Sequence, residues 1–278
     1  MLNKRLDELT KVADPPFLYV QSRKGSWVQP KQMYTLTAYV KTNGIPRGME
    51  ALLIETERIQ THGFTKTELD RQKTQYMRGL EKAYNEKDKT ESESFKWDYK
   101  NHYLEGDAIP SIEYVYETVQ KLIQHITILD VNQLSTDLIS SKNRVIAATS
   151  PENEEVIIPT EEDLKQVFDN VLAMDIEPYI DAVSDEPLLS SLAPAGTVAE
   201  EKTIDEIGVT EWTLSNGIKV VLKPTDFKND EILFYAHSLG GNSLVEDDDF
   251  MAAQTATDII TESGLGNFSK IELDKMLS

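Results

Sequence analysis

The sequence predicts an α+β fold: a mixed or antiparallel sheet covered by helices on one face, followed by a second, unfinished α+β unit. Three observations carry this expectation. Short β-rich pieces precede a block of amphipathic helices within the first 150 residues. A densely acidic, proline-punctuated stretch then runs from 151 to 208. After it, Trp212 to Asp226, "WTLSNGIKVVLKPTD", restarts with strand, turn and strand. The implied organisation is a complete α+β domain over 1–150, an acidic linker with one helix over 151–208 and a truncated α+β domain over 209–278.

The first β pieces are Phe17 to Val20, Ser26 to Val28 and Met33 to Lys41. In the last, Tyr34, Leu36, Ala38 and Val40 alternate with Thr35, Thr37, Tyr39 and Lys41, the period of a strand with one buried face. Met49, Leu52, Leu53 and Ile59 mark a first helix, closed by His62-Gly63, where glycine is expected to take a left-handed conformation. Thr65 to Glu68 form a capping box that opens a long helix with Leu69, Tyr76, Leu80, Ala83 and Tyr84 on one stripe. Pro110 suits the first turn of a helix carried by Ile112, Val115, Tyr116, Val119, Leu122, Ile123 and Ile126. Asp130 to Ser140 is helical through Val131, Leu134, Leu138 and Ile139, and Arg144 to Ala148 reads as a strand returning to the sheet. Sheet, helix block and closing strand describe an α+β layer.

From 151 to 208 there are sixteen Asp or Glu and only two Lys, so this stretch carries −14 of the net −20. Such a segment reads as a solvated connector. One amphipathic helix is expected in it, Thr160 to Met174, through Leu164, Val167, Phe168, Val171 and Leu172; Pro178, Pro187 and Pro194 then break regularity. In the last part the Asn216-Gly217 pair predicts a tight hairpin, because both turn residues tolerate positive φ. "EILFYAHSL", Glu231 to Leu239, is a further strand, Phe250 to Thr261 a helix, and Ser269 to Glu272 a capping box starting another. "FTKTELDR" (Phe64 to Arg71) and "FSKIELDK" (Phe268 to Lys275) are either an internal repeat or two converging helix starts. Convergence is preferred, since capping imposes much of the pattern and the surroundings differ.

Several classes of function are disfavoured. A net charge of −20 repels phosphate backbones, so no nucleic-acid partner is expected. No apolar run reaches the ~18 residues that span a bilayer. The opening "MLNKRLDELTK" lacks the apolar core and cleavage site of a signal peptide. Zero cysteine removes thiolate catalysis, disulfides and cysteine-ligated zinc.

Nor do the residues themselves assemble chemistry. No two of His62, His102, His125 and His237 stand three or four apart, so no helix presents a paired imidazole site. His62 suits a helix C-terminus, and His102 and His125 suit helix surfaces. "SLGGNS" (Ser238 to Ser243) lacks the Gly-Lys-Ser/Thr ending of a phosphate loop. "EDDD" (Glu246 to Asp249) lacks calcium-loop spacing and fits a helix start. There is no Gly-x-Ser-x-Gly elbow, and Tyr99, Tyr103, Tyr114 and Tyr116 fit a core or interface stripe. Read this way, the chain has no catalytic, cofactor-binding or metal-binding residue.

"MLNKRLDEL", "FTKTELDRQKTQYMRGLEKAYNEKDKTES", "NHYLEGDAIPSIEYVYE" and "WTLSNGIKVVLKPTDFKNDEI" resemble the pitrilysin/insulinase family of zinc peptidases, in its bacterial two-half branch. The resemblance covers nearly the whole chain and implies an internal fragment of such an enzyme. It implies metallohydrolase domains of the LuxS and processing-peptidase kind: 1–150 as the second domain of the first half, 151–208 as the inter-half linker and 209–278 as the start of a degenerate second half. The first domain, which in this family carries the zinc motif His-x-x-Glu-His, is absent. In that motif two imidazoles on one helical face hold zinc and the glutamate activates its water. The matching positions here are Gln254, Thr255, Ala256, Thr257 and Asp258, with Gln and Asp in place of His and Thr257 in place of the base.

The resemblance therefore implies a non-catalytic segment that walls the peptide chamber and joins the halves of a zinc metalloendopeptidase. This chain alone is expected to be inactive, with no cofactor of its own and zinc in the full-length parent. Its partners would be a peptide substrate and the catalytic first domain, and its compartment the periplasm or another exported site, with the cytoplasm left open. The alternative is a catalytically inactive, peptidase-derived binding or scaffold subunit. A third reading, an unrelated metal enzyme using His102 or His237, has no spacing to support it.

Overall fold

Residues 1–28, 31–139, 142–184 and 186–277 are described by a computed structural model. In chain order they form α1 (Leu2–Glu8), β1 (Tyr19–Val28), β2 (Lys31–Tyr39), α2 (Ile45–His62), α3 (Lys66–Asn85), α4 (Ser92–Glu105), α5 (Ile112–Leu122), α6 (Ile128–Leu138) and α7 (Glu161–Leu172). Then follow β3 (Val198–Ile204), β4 (Val209–Leu214), β5 (Lys219–Leu222), α8 (Phe250–Thr261) and α9 (Lys270–Met276). The expected α+β class is what the chain adopts, with two small antiparallel sheets, β1-β2 and β3-β4-β5. The chain divides into two units, one of residues 1–77, 120–184 and 240–278 and the other of 78–119 and 185–239.

In the first unit the core is Leu2, Leu6, Phe17, Ile59 and Phe64, flanked by Leu36, Ala38 and Val40 from the sheet side and Val131 from α6. The expected alternation in β2 supplies that buried face, and α2 packs on β2, α6 and α7. Close packing of α2 depends on Gly48, because a Cβ there would collide with the side chain of Val40. The two predicted β pieces at 17–20 and 26–28 are one strand, β1, paired with β2 from Tyr19↔Tyr39 onward with a register shift near Ser26. Gly63 ends α2 with φ 73° and ψ −169°, which is positive in φ as expected but extended in ψ rather than left-handed helical. That backbone region is essentially open to glycine alone.

The helix starts follow the capping chemistry. Thr65, Thr127, Thr160 and Ser269 each bond the backbone of the third following residue, whose carboxylate returns to the cap. Pro110 lies outside α5, whose Tyr114 amide is instead accepted by the Ser111 hydroxyl at 3.3 Å. The predicted helix end at Ser140 lies outside the described residues. Arg144 to Ala148 is not a strand: Val145 is 91% exposed, and the Arg144 guanidinium sits 4.9 Å from the centre of the Phe168 ring on α7. β-propensity favours an extended backbone there but names no partner.

In the second unit, the end of α3 meets α5 through stacked Tyr84 and Tyr116, 4.9 Å apart. β4 and β5 form the predicted hairpin, with an antiparallel β3 on the other side of β4. Its turn differs from expectation in one respect. The Gly217 amide bonds the Leu214 carbonyl and the Leu214 amide bonds the Ile218 carbonyl, each at 2.8 Å, giving a three-residue loop. Only Gly217 has positive φ (84°); the Asn216 side chain instead accepts the Ile218 amide at 3.2 Å. This is the type I turn plus glycine bulge rather than the two-residue turn. "EILFYAHSL" joins no sheet among the described residues, and Ile232 and Leu239 are each 94% exposed. The amides just before it, Asn229 and Asp230, are both held at 2.6 Å by the Glu86 carboxylate.

Candidate functional site

The densest cluster of interacting charges is built around Arg5, in the first unit. Leu2, Leu6 and Leu9 recur at helical spacing along α1 and its end, and Arg5 falls on that same buried face. Its guanidinium forks onto Glu68 of α3, Nε to Oε1 at 2.7 Å and Nη2 to Oε2 at 2.8 Å. Nη1 donates to Glu55 of α2 at 3.2 Å and Nη2 to the Gly63 carbonyl at 3.0 Å. The rings of Phe64 and Tyr179 cover the cation at 4.8 and 4.1 Å. All three charged side chains are at most 6% exposed. A charge this buried is tolerated only when its hydrogen-bonding capacity is used, as here.

A second layer surrounds Tyr179. Its hydroxyl donates to Glu8 at 2.7 Å and accepts from Lys275 at 2.7 Å. Lys275 also pairs with Glu8 at 2.9 Å and Asp181 at 3.2 Å. Asp181 takes Arg71 at 2.8 Å and the Thr67 hydroxyl. A cleft of about 300 Å³ adjoins this layer, lined in part by Lys4, Glu8, Gln72, Tyr179 and Lys275.

The electrostatics oppose acid–base work. Burial alone would raise the Glu68 carboxyl, but hydrogen bonds from Arg5 and Thr65 and the Arg5 charge hold it below the usual range. Burial likewise works against the charged form of Asp181, and Thr67, Arg71 and Lys275 outweigh it. Burial, reinforced by Glu8, raises the Tyr179 phenol. Lowered Glu68 and Asp181 favour their charged, paired forms and the raised Tyr179 phenol its protonated form, which suits structural contacts. The cluster is a structural lock.

The five positions matching the zinc motif lie on α8, as expected. Gln254, Thr257 and Asp258 are exposed and, at spacings of three and four, share a helix face. Their chemistry does not fit zinc: an amide is a poor ligand, one carboxylate is not a site, and a threonine hydroxyl cannot serve as the base. Among the described residues no group of three or more His, Asp or Glu could hold a metal ion. The histidines are dispersed and locally engaged: His62 Nε2 lies 2.7 Å from the Ile176 carbonyl, and His102 Nδ1 lies 2.6 Å from that of Asp107. His125 ends a short 3-10 turn and His237 lies on an exposed loop. Asp247 to Asp249 form a 3-10 turn leading into α8, the helix-start role expected of them.

Reading the sequence missed α1 and β3 and gave no bounds for α4, though it placed His102 on a helix surface; it also missed the roles of Arg5, Tyr179, Asp181 and Lys275. One signal for Arg5 was present, namely a charged residue in phase with Leu2 and Leu6. Nothing local distinguishes Tyr179 or Asp181 from other residues of the acidic stretch.

No protein-family model matches the chain. A zinc protease PQQL-like protein of Arabidopsis thaliana is 29% identical over 225 residues, which is 80% of this chain and 23% of that protein. In fold the chain is similar to the periplasmic protease PqqL of Escherichia coli, with a TM-score of 0.56 at 18% identity over 99% of this chain and 30% of that one. The first half of PqqL, solved separately, matches 64% of this chain and 39% of its own length with a TM-score of 0.55 at 17% identity. The chain therefore resembles the pitrilysin/insulinase-type zinc proteases in sequence and in fold, and it spans about a quarter of the length of the curated relative it matches.

Proposed function

We propose that this chain is a non-catalytic segment of a zinc metalloendopeptidase, walling the peptide chamber and joining its two halves. The observation that carries this reading is the similarity to the Arabidopsis zinc protease over 80% of the chain. On this reading 1–150 is the second domain of a first half, 151–208 the linker and 209–278 the start of the second half; the fold likeness to the first half of PqqL over 64% of the chain supports the first of these. Zinc then belongs to the parent enzyme, held by a domain carrying His-x-x-Glu-His, because Gln254, Thr257 and Asp258 cannot replace that set. A peptide substrate and an exported location belong to the same reading, the latter because the E. coli relative is a periplasmic protease. Among the described residues no helix is long and apolar enough to cross a membrane.

The alternative, a peptidase-derived scaffold without chemistry, shares this fold and differs in the rest of its gene. Sequencing on the 5′ side of the Met1 codon separates the two. An in-frame His-x-x-Glu-His supports the peptidase reading, and an open frame without it supports the scaffold.

A further inference from the structure

The segment Ile176 to Asp181, "IEPYID", belongs to the acidic stretch that composition marks as a solvated connector, yet side chains from four helices grip it, with Lys275 of α9 on Tyr179 and Asp181. From α2, His62 meets the Ile176 carbonyl at 2.7 Å and Arg58 donates to the Glu177 carbonyl at 2.9 Å. From α3, Thr67 and Arg71 hold the Asp181 carboxylate, whose side chain is only 5% exposed. From α1, Glu8 accepts the Tyr179 hydroxyl, and the Arg5 guanidinium lies over the Tyr179 ring, 4.1 Å from its centre. Pro178 stands in the middle of the segment and restricts the backbone, so less entropy is lost on docking.

α1 has the complementary problem. Seven residues are too few for a helix to persist alone in water, and the Met1 cap makes no side-chain bond to it. Burying Arg5 without its aromatic cover would leave one face of a desolvated cation open. The segment supplies that cover at Tyr179 and a bond to Glu8 at the other end of the same helix.

We propose that Ile176 to Asp181 is a strap that locks α1 onto α2 and α3, so that α1 and the strap order and release together across some 170 residues of chain. The consequence for the acidic stretch is that its first part, through Asp181, is docked structure; any free linker begins after it. The Asp181 carboxylate there serves recognition of Arg71 and Lys275 as well as solvation.

Hydrogen–deuterium exchange on the whole chain tests this. In Tyr179→Ala the α1 amides are expected to exchange about tenfold faster or more, while the middle of α2 keeps its protection. Tyr179→Phe keeps the ring over Arg5 and loses only the hydroxyl, and is expected to fall between the two. Reciprocally, Arg5→Met is expected to open the Tyr179–Ile180 bond to chymotrypsin. If Tyr179→Ala does not fold, Asp181→Asn carries the test, since it loosens the strap with the aromatic contact intact. Faster exchange in α1 than in α2 supports the strap. Unchanged α1 exchange, or equal acceleration throughout the unit, overturns it.

Discussion

Arg5 is the residue on which the first unit turns, because three elements meet at its guanidinium. Arg5→Ala strands Glu68 without a cation in a buried site, while Glu55 keeps Arg58 at 3.0 Å; breaking a buried pair from one side costs about 3–5 kcal/mol. Urea unfolding of the variant is expected to show a loss of that order. A pH effect follows from Glu68 and Asp181, both held below their ordinary values of 4.5 and 3.8. A carboxylate with a depressed folded pKa contributes stability that is fully present above its unfolded value and is lost as pH falls through the folded one. Stability is therefore expected to hold down to about pH 4.5 and to decline below it, and Glu68→Gln is expected to flatten that decline in acid titrations followed by circular dichroism. Asn132 is a quieter case: its amide carbonyl accepts the Phe64 amide at 2.8 Å, just after the glycine-only backbone of Gly63. Asn132→Ala leaves that part-buried amide unpaired, at a cost of about 1–3 kcal/mol in the same urea assay.

At the scale of elements, what could be read from the sequence was what depends on neighbours in the chain. Capping boxes at Thr65 and Ser269, the run of α8 and the Asn216-Gly217 hairpin all rest on contacts within a few residues, and all form. What escaped depends on distant partners. "RVIAA" and "EILFYAHSL" have strand composition but no ladder among the described residues, while β3, with acids on both faces, has a ladder without the alternation that would announce it. α1 was missed because seven residues give too little periodicity, and its stability comes from tertiary contacts. The two similar motifs at Phe64 and Phe268 show the same division. Both cap a helix alike, and both phenylalanines are buried, but Glu68 goes on to receive Arg5 whereas Glu272, half-buried, bonds its own cap. The turn at Gly217 offers a local check. Gly217→Ala forces a Cβ into a positive-φ site, a cost of about 1–2 kcal/mol, expected as faster amide exchange in β4 and β5 with α2 unaffected.

For the whole molecule, the family resemblance is carried by segments spread along the chain, and the fold likeness to PqqL extends over 99% of it. Of the candidate site, the sequence offered the position of the zinc-motif residues on α8. Gln254, Thr257 and Asp258 fall on one helix face, where the spacing of the zinc motif puts its residues, and carry the wrong donors. The charged lock at Arg5 and the strap over it were not legible, because they join residues far apart in the sequence. The central claim is that this segment contributes architecture and no chemistry of its own. It is tested most directly by incubating the purified chain with zinc and an unstructured peptide, then measuring bound metal and peptide cleavage together. No stoichiometric zinc and no cleavage above the buffer blank are expected; stoichiometric zinc with zinc-dependent cleavage that a chelator abolishes would contradict the claim.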